Sequence, residues 1–343
     1  MRQILFRIPL PGSEHALTIY GYGAMLCIGF LLAILLAARR AKRLGQSPDV
    51  IYNVALFCFF GGLIGARLFY VIQYGEHFRS PLDFLKIWEG GLTFYGGFLL
   101  AIVAAIGYLR FAKQPILYWL DIIAPSVALG EAFGRLGCFL NGCCYGDVCP
   151  AGSGASWATF AWPAGTIPWQ HYADQYLATL SLSAAAGGGA TDGALTGSLL
   201  AVWHAPAIYP AQLLSFLNGL LLFLLLVAMF RHKRRHGQIL FMFMLLYGVS
   251  RFLLEWLRAD EARVYLLGLP TLLESLGYTQ AAARLPLLTI SQNVAIGMVV
   301  GSVIVLALLE RSTRPELQAE YAPAPAVEAP PVSKKAKRRK DKS

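Results

Sequence analysis

Seven long apolar blocks constrain this chain more than any other feature. Leu17 to Ala38 is 22 residues without a charge, and Gly90 to Leu109, Ala207 to Phe230 and Leu285 to Leu309 are also uncharged. Ile51 to Tyr74, Ile116 to Leu140 and Ile239 to Leu257 are apolar apart from a few ionisable residues. Roughly 20 apolar residues cross a bilayer as a helix, and in hydrocarbon only a helix or a closed barrel satisfies its own backbone. The blocks therefore predict an all-α integral membrane protein with about seven transmembrane helices. The composition agrees, with 57% hydrophobic and 14% charged residues, against about 25% charged in a typical soluble domain. The first block is too long for a cleavable signal, and no small-residue cleavage site follows it, so it reads as a permanent span.

The net charge of +10 is not spread evenly. Lys334 to Ser343 holds seven Lys/Arg against one Asp, and RHKRRH (Arg231 to His236) lies between two apolar blocks. Basic runs also follow the first, third and seventh blocks as RRAKR, RFAK and ERSTR. Basic residues collect on the cytoplasmic side of spans, so one orientation satisfies every cluster, with the N-terminus outside and the C-terminus cytoplasmic. The same reading makes the basic tail a lipid-facing element and predicts no nucleic-acid partner. Residues 1–311 are expected to form the membrane domain. Residues 141–206 form an external loop with a flexible Gly/Ala/Ser-rich insert at about 183–198, and 312–343 form a disordered tail.

In that topology the costly polar residues share one depth. Tyr22, Arg67, Tyr95, Glu131, Arg135, Asn141, Tyr209, Gln212, Arg251, Glu255, Arg258 and Gln292 all fall in the outer part of their spans. Asp121 is the main exception. One such arginine could snorkel to the headgroups; Arg67, Arg135 and Arg251 on three different spans point instead to a shared cationic pocket. A planar guanidinium fork suits phosphate oxygens. Arg251 and Glu255 are spaced i, i+4 and can pair on one helix face.

The glycines of GGLIGAR and GGLTFYGGF serve either close helix packing or backbone contact with an anionic headgroup through Gly96 and Gly97. Cys138, Cys143, Cys144 and Cys149 are spaced C-x4-C-C-x4-C, which is no usual zinc pattern, so no metal and no cofactor are expected. A disulfide is the preferred reading, with Cys149 bridging Cys143 or Cys144, ahead of a catalytic thiol. No Walker loop, dinucleotide fingerprint, nucleophile elbow or His-Glu-x-x-His occurs.

GRLGCFLNGCCYG (Gly134 to Gly146) resembles the signature of the prolipoprotein diacylglyceryl transferases, Gly-Arg-x-Gly-Asn-Phe-x-Asn-x-Glu-x-x-Gly, matching at Arg135, Phe139, Asn141 and Gly146. YGAM at Tyr22, GARLFYV at Arg67, WEGGLTFYGG, YPAQL, YGVSRFLLEWLR and ISQN resemble further motifs of that family, in order along the chain. Cys138 and Cys143 stand where the signature has Asn and Glu, and Tyr95 and Tyr209 stand where the family has histidines. The Tyr95 change removes a residue considered a catalytic base.

The resemblance implies a seven-span enzyme of the bacterial inner membrane, with its site facing the outer leaflet. It would move the diacylglyceryl group of phosphatidylglycerol to the lipobox cysteine of a prolipoprotein signal peptide. A thioether forms and glycerol-1-phosphate leaves. Arg135, Arg251, Glu255 and Tyr95 are the catalytic candidates: the arginines for the departing phosphate, Glu255 as orienter or base, and Tyr95 for positioning. Tyr22, Arg67, Asn141, Gly146, Gly96, Gly97, Gln212, Gln292 and Arg258 are candidates for binding lipid or peptide. Two other classes compete. A lipid transporter or flippase would carry polar residues through the inner half or an internal repeat, and the chain has neither. A thiol-redox enzyme would depend on Cys143, Cys144 and Cys149.

Overall fold

The computed structural model describes residues 3–9, 16–74, 91, 93–149, 159–164, 166–187, 206–258 and 288–311. Helices dominate: α1 (Gly21–Arg43), α2 (Asp49–Gln73), α3 (Phe94–Phe111), α4 (Ile116–Asn141), α5 (Ile167–Gly187), α6 (Ala211–Phe230), α7 (Gln238–Glu255) and α8 (Ile290–Arg311). Six of these, α1, α2, α4, α6, α7 and α8, are long and apolar enough to cross a membrane, and α3 is a shorter apolar helix. Each coincides with one of the seven apolar blocks, with ends that differ by a few residues. Large apolar side chains stand exposed along them, such as Leu217, Leu221 and Leu224 on α6; a protein in water rarely shows such faces, whereas lipid covers them.

Two differences from the sequence reading bear on the architecture. Ala16–Tyr20 is a strand, β2, and not the start of the first span. It pairs antiparallel with β1 (Ile4–Pro9), from Ile4 opposite Tyr20 to Pro9 opposite Ala16. LTIY holds two β-branched residues and a tyrosine, which suits a strand, and Gly21 begins the helix. Within the external loop, Ile167–Gly187 forms α5, so the helix runs into the insert expected to be flexible from 183. The rest of that insert, the tail from 312, Gly90 and residues 285–287 lie outside the described residues.

The chain divides into two compact units, residues 1–37 with 115–309 and residues 38–114 with 310–343. The core of the first is α4. Trp119, Ile122, Ala128 and Ala132 on α4 are almost wholly buried. Ala124 and Ala128 pack with Leu222 and Leu226 of α6 and Ile239 of α7. Alanines four residues apart make a smooth stripe, which lets α6 approach closely.

Asp121, the one deep acidic residue, anchors one end of this unit. Its side chain is fully buried and ion-paired with Lys233 at 2.9 Å. The same carboxylate accepts the backbone N–H of Gly237 at 2.7 Å and of Leu240 at 2.9 Å. It thus caps the positive end of α7 from a neighbouring helix. Lys233 also lies over the rings of Tyr118 and Phe230, and Arg235 donates to the Leu309 carbonyl at the end of α8. The basic turn after α6 is therefore pinned to α4, α7 and α8 at one end of the unit. The carboxyl ends of α4 and α7 lie at the other.

In the second unit α2 and α3 are locked by glycines. An added Cβ on Gly65 would lie 2.4 Å from the Gly96 carbonyl, and one on Gly96 2.5 Å from the Gly65 carbonyl. Gly97 meets Gly62 and Ala66 in the same seam. This is the close approach that only a missing side chain permits.

Candidate active site

Two ion pairs build the site, one on each helix that ends there. Arg135 Nε donates to Glu131 Oε1 at 2.9 Å within the last turns of α4. Arg251 Nη1 meets Glu255 Oε2 at 2.5 Å in the last turn of α7. Both are i, i+4 pairs, so the helix itself sets their geometry. Both are largely shielded, at 14–21% side-chain exposure, which strengthens their mutual field relative to water.

Glu131, Arg135 and Arg251 line one small cleft, together with Asn218 and Ser215 of α6 and Tyr247 and Ser250 of α7. Asn218 donates to Ser250 at 3.0 Å across the α6–α7 contact. α6 comes this close because Gly219 faces α4: a Cβ there would lie 2.8 Å from Glu131 Oε2. Of the three arginines expected to share a pocket, Arg135 and Arg251 line this cleft, while Arg67 belongs to the second unit. Glu131 has the same i, i+4 spacing to Arg135 that singled out Arg251 and Glu255, yet was not counted among the site candidates. Asn218 and Ser250 carry no spacing signal and could not be found from sequence.

The two arginines differ in what remains to them. Arg251 is engaged twice, by Glu255 and by Ser291 Oγ of α8 at 3.0 Å. The hydrogen bond described for Arg135 uses only Nε, and the residue lines the cleft. Glu255 is held on both oxygens, since Thr289 Oγ1 donates to Oε1 at 3.1 Å while Oε2 faces Arg251 and, at 3.9 Å, Arg258. Glu131 Oε2 is buried with no hydrogen-bond partner among the described residues; Glu255 Oε2 also has none, but it is ion-paired with Arg251.

Gln292 is not aimed at this cleft. Its Oε1 accepts the backbone N–H of Thr289 at 3.0 Å, and its own N–H donates to Thr289 Oγ1 at 3.2 Å. That reciprocal pair is a capping box for α8, the Thr-x-x-Gln form of a helix start. Gln292 thus caps α8, and through Thr289 it is tied to Glu255. Gly96 and Gly97 likewise have their Cα faces occupied by the α2–α3 seam.

The backbone around Gly146 closes over this end of the unit. Gly146 bridges Arg258, its N–H donates to the Tyr209 carbonyl at 3.1 Å, and Asp147 N–H donates to Leu257 at 2.9 Å. A Cβ on Gly146 would lie 2.3 Å from the Tyr209 oxygen. Gln212, 1% exposed, donates to the Cys143 carbonyl at 3.0 Å. Behind the lip, Tyr145, Trp162, Tyr172 and Ile208 form an aromatic cluster against Phe139. Burial first, then Asp147 and Tyr145, push the Tyr172 phenol up to about 12.

The cysteines form no disulfide; all six are thiols. The predicted partner, Cys149, instead has its backbone N–H on the Ala207 carbonyl. Cys138, Cys143 and Cys144 gather with their sulfurs within 4.8 Å of one another. Hydrogen bonds from Cys138 and then Cys144 hold the Cys143 thiol well below the ordinary thiol range. Asn141 reaches Cys143 with its side chain. Tyr22 packs on Gly137 of α4 and lies within electrostatic range of the three cysteines and Arg135.

In the second unit Arg67 is 4% exposed, donates to the Gly91 carbonyl at 3.2 Å and sits over the Tyr70 ring. The Tyr95 ring is 71% exposed.

The model of one protein family, prolipoprotein diacylglyceryl transferase, matches residues 12–308. A phosphatidylglycerol–prolipoprotein diacylglyceryl transferase of Clostridium tetani is 28% identical over 260 residues, covering 76% of this chain and 86% of that protein. The like-named proteins of Geobacter sulfurreducens and Pectobacterium atrosepticum are 31% and 29% identical, over 73% and 76% of this chain and 81% and 84% of theirs. With its apolar helices, its paired arginines and a match running over most of its length, the chain belongs to the prolipoprotein diacylglyceryl transferase family.

Proposed function

We propose that this protein transfers the diacylglyceryl group of phosphatidylglycerol to the lipobox cysteine of prolipoproteins, the first step of lipoprotein maturation. The observation that carries the reading is the convergence of Arg135 and Arg251 on one cleft. The substrate thiol loses its proton, and its sulfur attacks the terminal glyceryl carbon. The carbon–oxygen bond breaks, its electrons pass to the phosphate oxygen, and glycerol-1-phosphate leaves as the thioether forms.

Negative charge grows on the departing phosphate, so donors fixed in advance lower the barrier most. The Arg135 fork grips two phosphate oxygens. Arg251 supplies a second charge, held by Glu255, which positions it and has no oxygen to spare. Glu131 Oε2 is the carboxylate oxygen left to accept the thiol proton, and the neighbouring guanidiniums ease that ionisation. Asn141, Gly146, Gln212, Tyr22 and Arg258 shape the wall that meets lipid or signal peptide. Arg67 steadies the Gly91 turn, and Tyr95 presents an exposed ring to lipid. The protein sits in the bacterial inner membrane with this end of the helices in the outer leaflet. The Asp121 end, carrying the basic turn, faces the cytoplasm.

The test is incubation of the purified protein in detergent with phosphatidylglycerol and a lipobox peptide. Mass spectrometry should find one diacylglyceryl addition on the cysteine, with equal release of glycerol-1-phosphate. A peptide with serine in place of cysteine should stay unmodified. No adduct on the cysteine peptide, with folded protein, would overturn the reading.

A further inference from the structure

The C-x4-C-C spacing resembles no zinc module as a string, yet the end of α4 folds it into one cluster. Gly142, at φ +81°, closes the helix in the left-handed conformation. Both Gly142 and Cys143 then donate their N–H groups to the Cys138 carbonyl, at 2.8 and 3.2 Å. This is a Schellman turn, which places the residue five positions on directly over the start of the turn. The Cys143 sulfur accordingly comes to 3.9 Å from the Cys138 carbonyl oxygen. Cys144 adopts φ +59°, a left-handed conformation unusual for a residue with a Cβ, and its sulfur joins the other two.

Three sulfurs within 4.8 Å of one another fit within a circle of radius about 2.8 Å. A zinc–sulfur bond is about 2.3 Å, so modest side-chain rotation brings all three into coordination. Cys138 is buried and the other two half-buried, so the centre is shielded without being sealed. The ligand set is all sulfur, which selects thiophilic ions over magnesium or calcium. Arg135 lies within electrostatic range of Cys144 and offsets the charge of the thiolates.

We propose that Cys138, Cys143 and Cys144 form a three-thiolate site for one soft d10 cation, zinc(II) or copper(I). On binding, the three thiols release their protons to solvent as the metal–sulfur bonds form. The fourth coordination position belongs to solvent or to the Asn141 side chain beside Cys143. The site borders the transfer site through Asn141 and Arg135, but the proposal does not rest on the transfer reading.

The full-length protein, purified in detergent with reductant and stripped by chelator, is titrated with zinc(II), with magnesium(II) as the control. Copper(I) is titrated in a second arm, to decide between the two ions. One ion should remain per chain after desalting, and the thermal midpoint should rise with zinc or copper and not with magnesium. Cys143→Ser and Cys144→Ser should each weaken binding by more than the roughly 10–100-fold typical of losing an outer-shell partner. Cys149→Ser and Cys27→Ser should leave it unchanged. Cys138→Ser alters a buried residue, so alkylation mapping of the unaltered protein replaces it if that variant does not fold. The bound ion should protect Cys138, Cys143 and Cys144 together while Cys149 stays reactive. Retention of neither ion, equal retention by a Cys143→Ser/Cys144→Ser double variant, or no joint protection would overturn the proposal. Diacylglyceryl transfer assayed on the same preparation separates that outcome from a failure of the enzymatic reading.

Discussion

Arg135 offers the sharpest test of the phosphate reading, because its removal does two things that can be told apart. Arg135→Ala deletes the fork that meets the phosphate, and it also strips Glu131 of its described partner. Hydrogen bonds to a charged group contribute about 1.5–3 kcal/mol each. Losing two that form fully only in the transition state should therefore raise the barrier by roughly 3–6 kcal/mol, about 10²–10⁴-fold in kcat/KM at 1.36 kcal/mol per decade. The bared Glu131 carboxylate would place a negative charge where the phosphate must go and depress activity by its own repulsion. The double variant Glu131→Gln/Arg135→Ala removes that repulsion and leaves the fork missing. Measured with phosphatidylglycerol and a lipobox peptide, it should remain at least about 100-fold below Glu131→Gln alone. Arg135→Lys, which restores charge without the fork, should recover only part of the loss. If the double variant returns to the level of Glu131→Gln, the fork is not the phosphate anchor and Arg135 serves only to neutralise Glu131.

Four further outcomes follow from the described contacts. Asp121→Ala should destabilise the protein by about 3–5 kcal/mol, because it leaves Lys233 unpaired and two N–H groups of α7 unsatisfied; Asp121→Ala/Lys233→Met should recover part of that in thermal unfolding. Gly146→Ala should lose transfer activity, since its Cβ would meet the Tyr209 and Leu257 carbonyls, while Gly23→Ala, with open space around it, should be silent in the same assay. Gln292→Ala should lower stability by about 1 kcal/mol and Gln292→Glu should restore it, because glutamate completes the same capping box; an activity lost in Gln292→Glu with stability intact would return Gln292 to the binding site. Tyr172 titrates near 12 against 10 when unfolded, so its contribution to stability is present below pH 10 and disappears as pH rises to about 12, which ultraviolet titration of the phenolate beside a denaturation series would follow.

Much of this architecture is written in the apolar blocks, and the reason is physical. A helix in lipid must satisfy its backbone alone, so span length is fixed by bilayer thickness and survives any error about packing. The Arg251–Glu255 pair was legible for a similar reason, because i, i+4 neighbours meet whatever else the chain does. Longer-range partners were not. Asp121 looked like an anomaly at the wrong depth until Gly237 and Leu240, more than a hundred residues on, brought it their N–H groups. Thr-x-x-Gln at 289–292 is readable as a helix start, and the structure shows Gln292 capping α8 through Thr289. The N-terminal hairpin was hidden because LTIY continues smoothly into the first apolar block, and hydropathy does not distinguish a strand from the helix that follows it. The clustering of Cys138, Cys143 and Cys144 is not legible as a spacing pattern, because it comes from a helix ending, which a spacing rule for loops does not describe.

The two pairs run in opposite order along parallel rods: acid before base on α4, base before acid on α7. Glu131 consequently feels Arg251 across the gap as well as its own Arg135. Opposite signs alternate around the cleft, and from a distance such a chequerboard nearly cancels. The cleft therefore presents little net field to its surroundings. Recognition of an anion then happens at touching range, by fork and fit, and should change little with added salt.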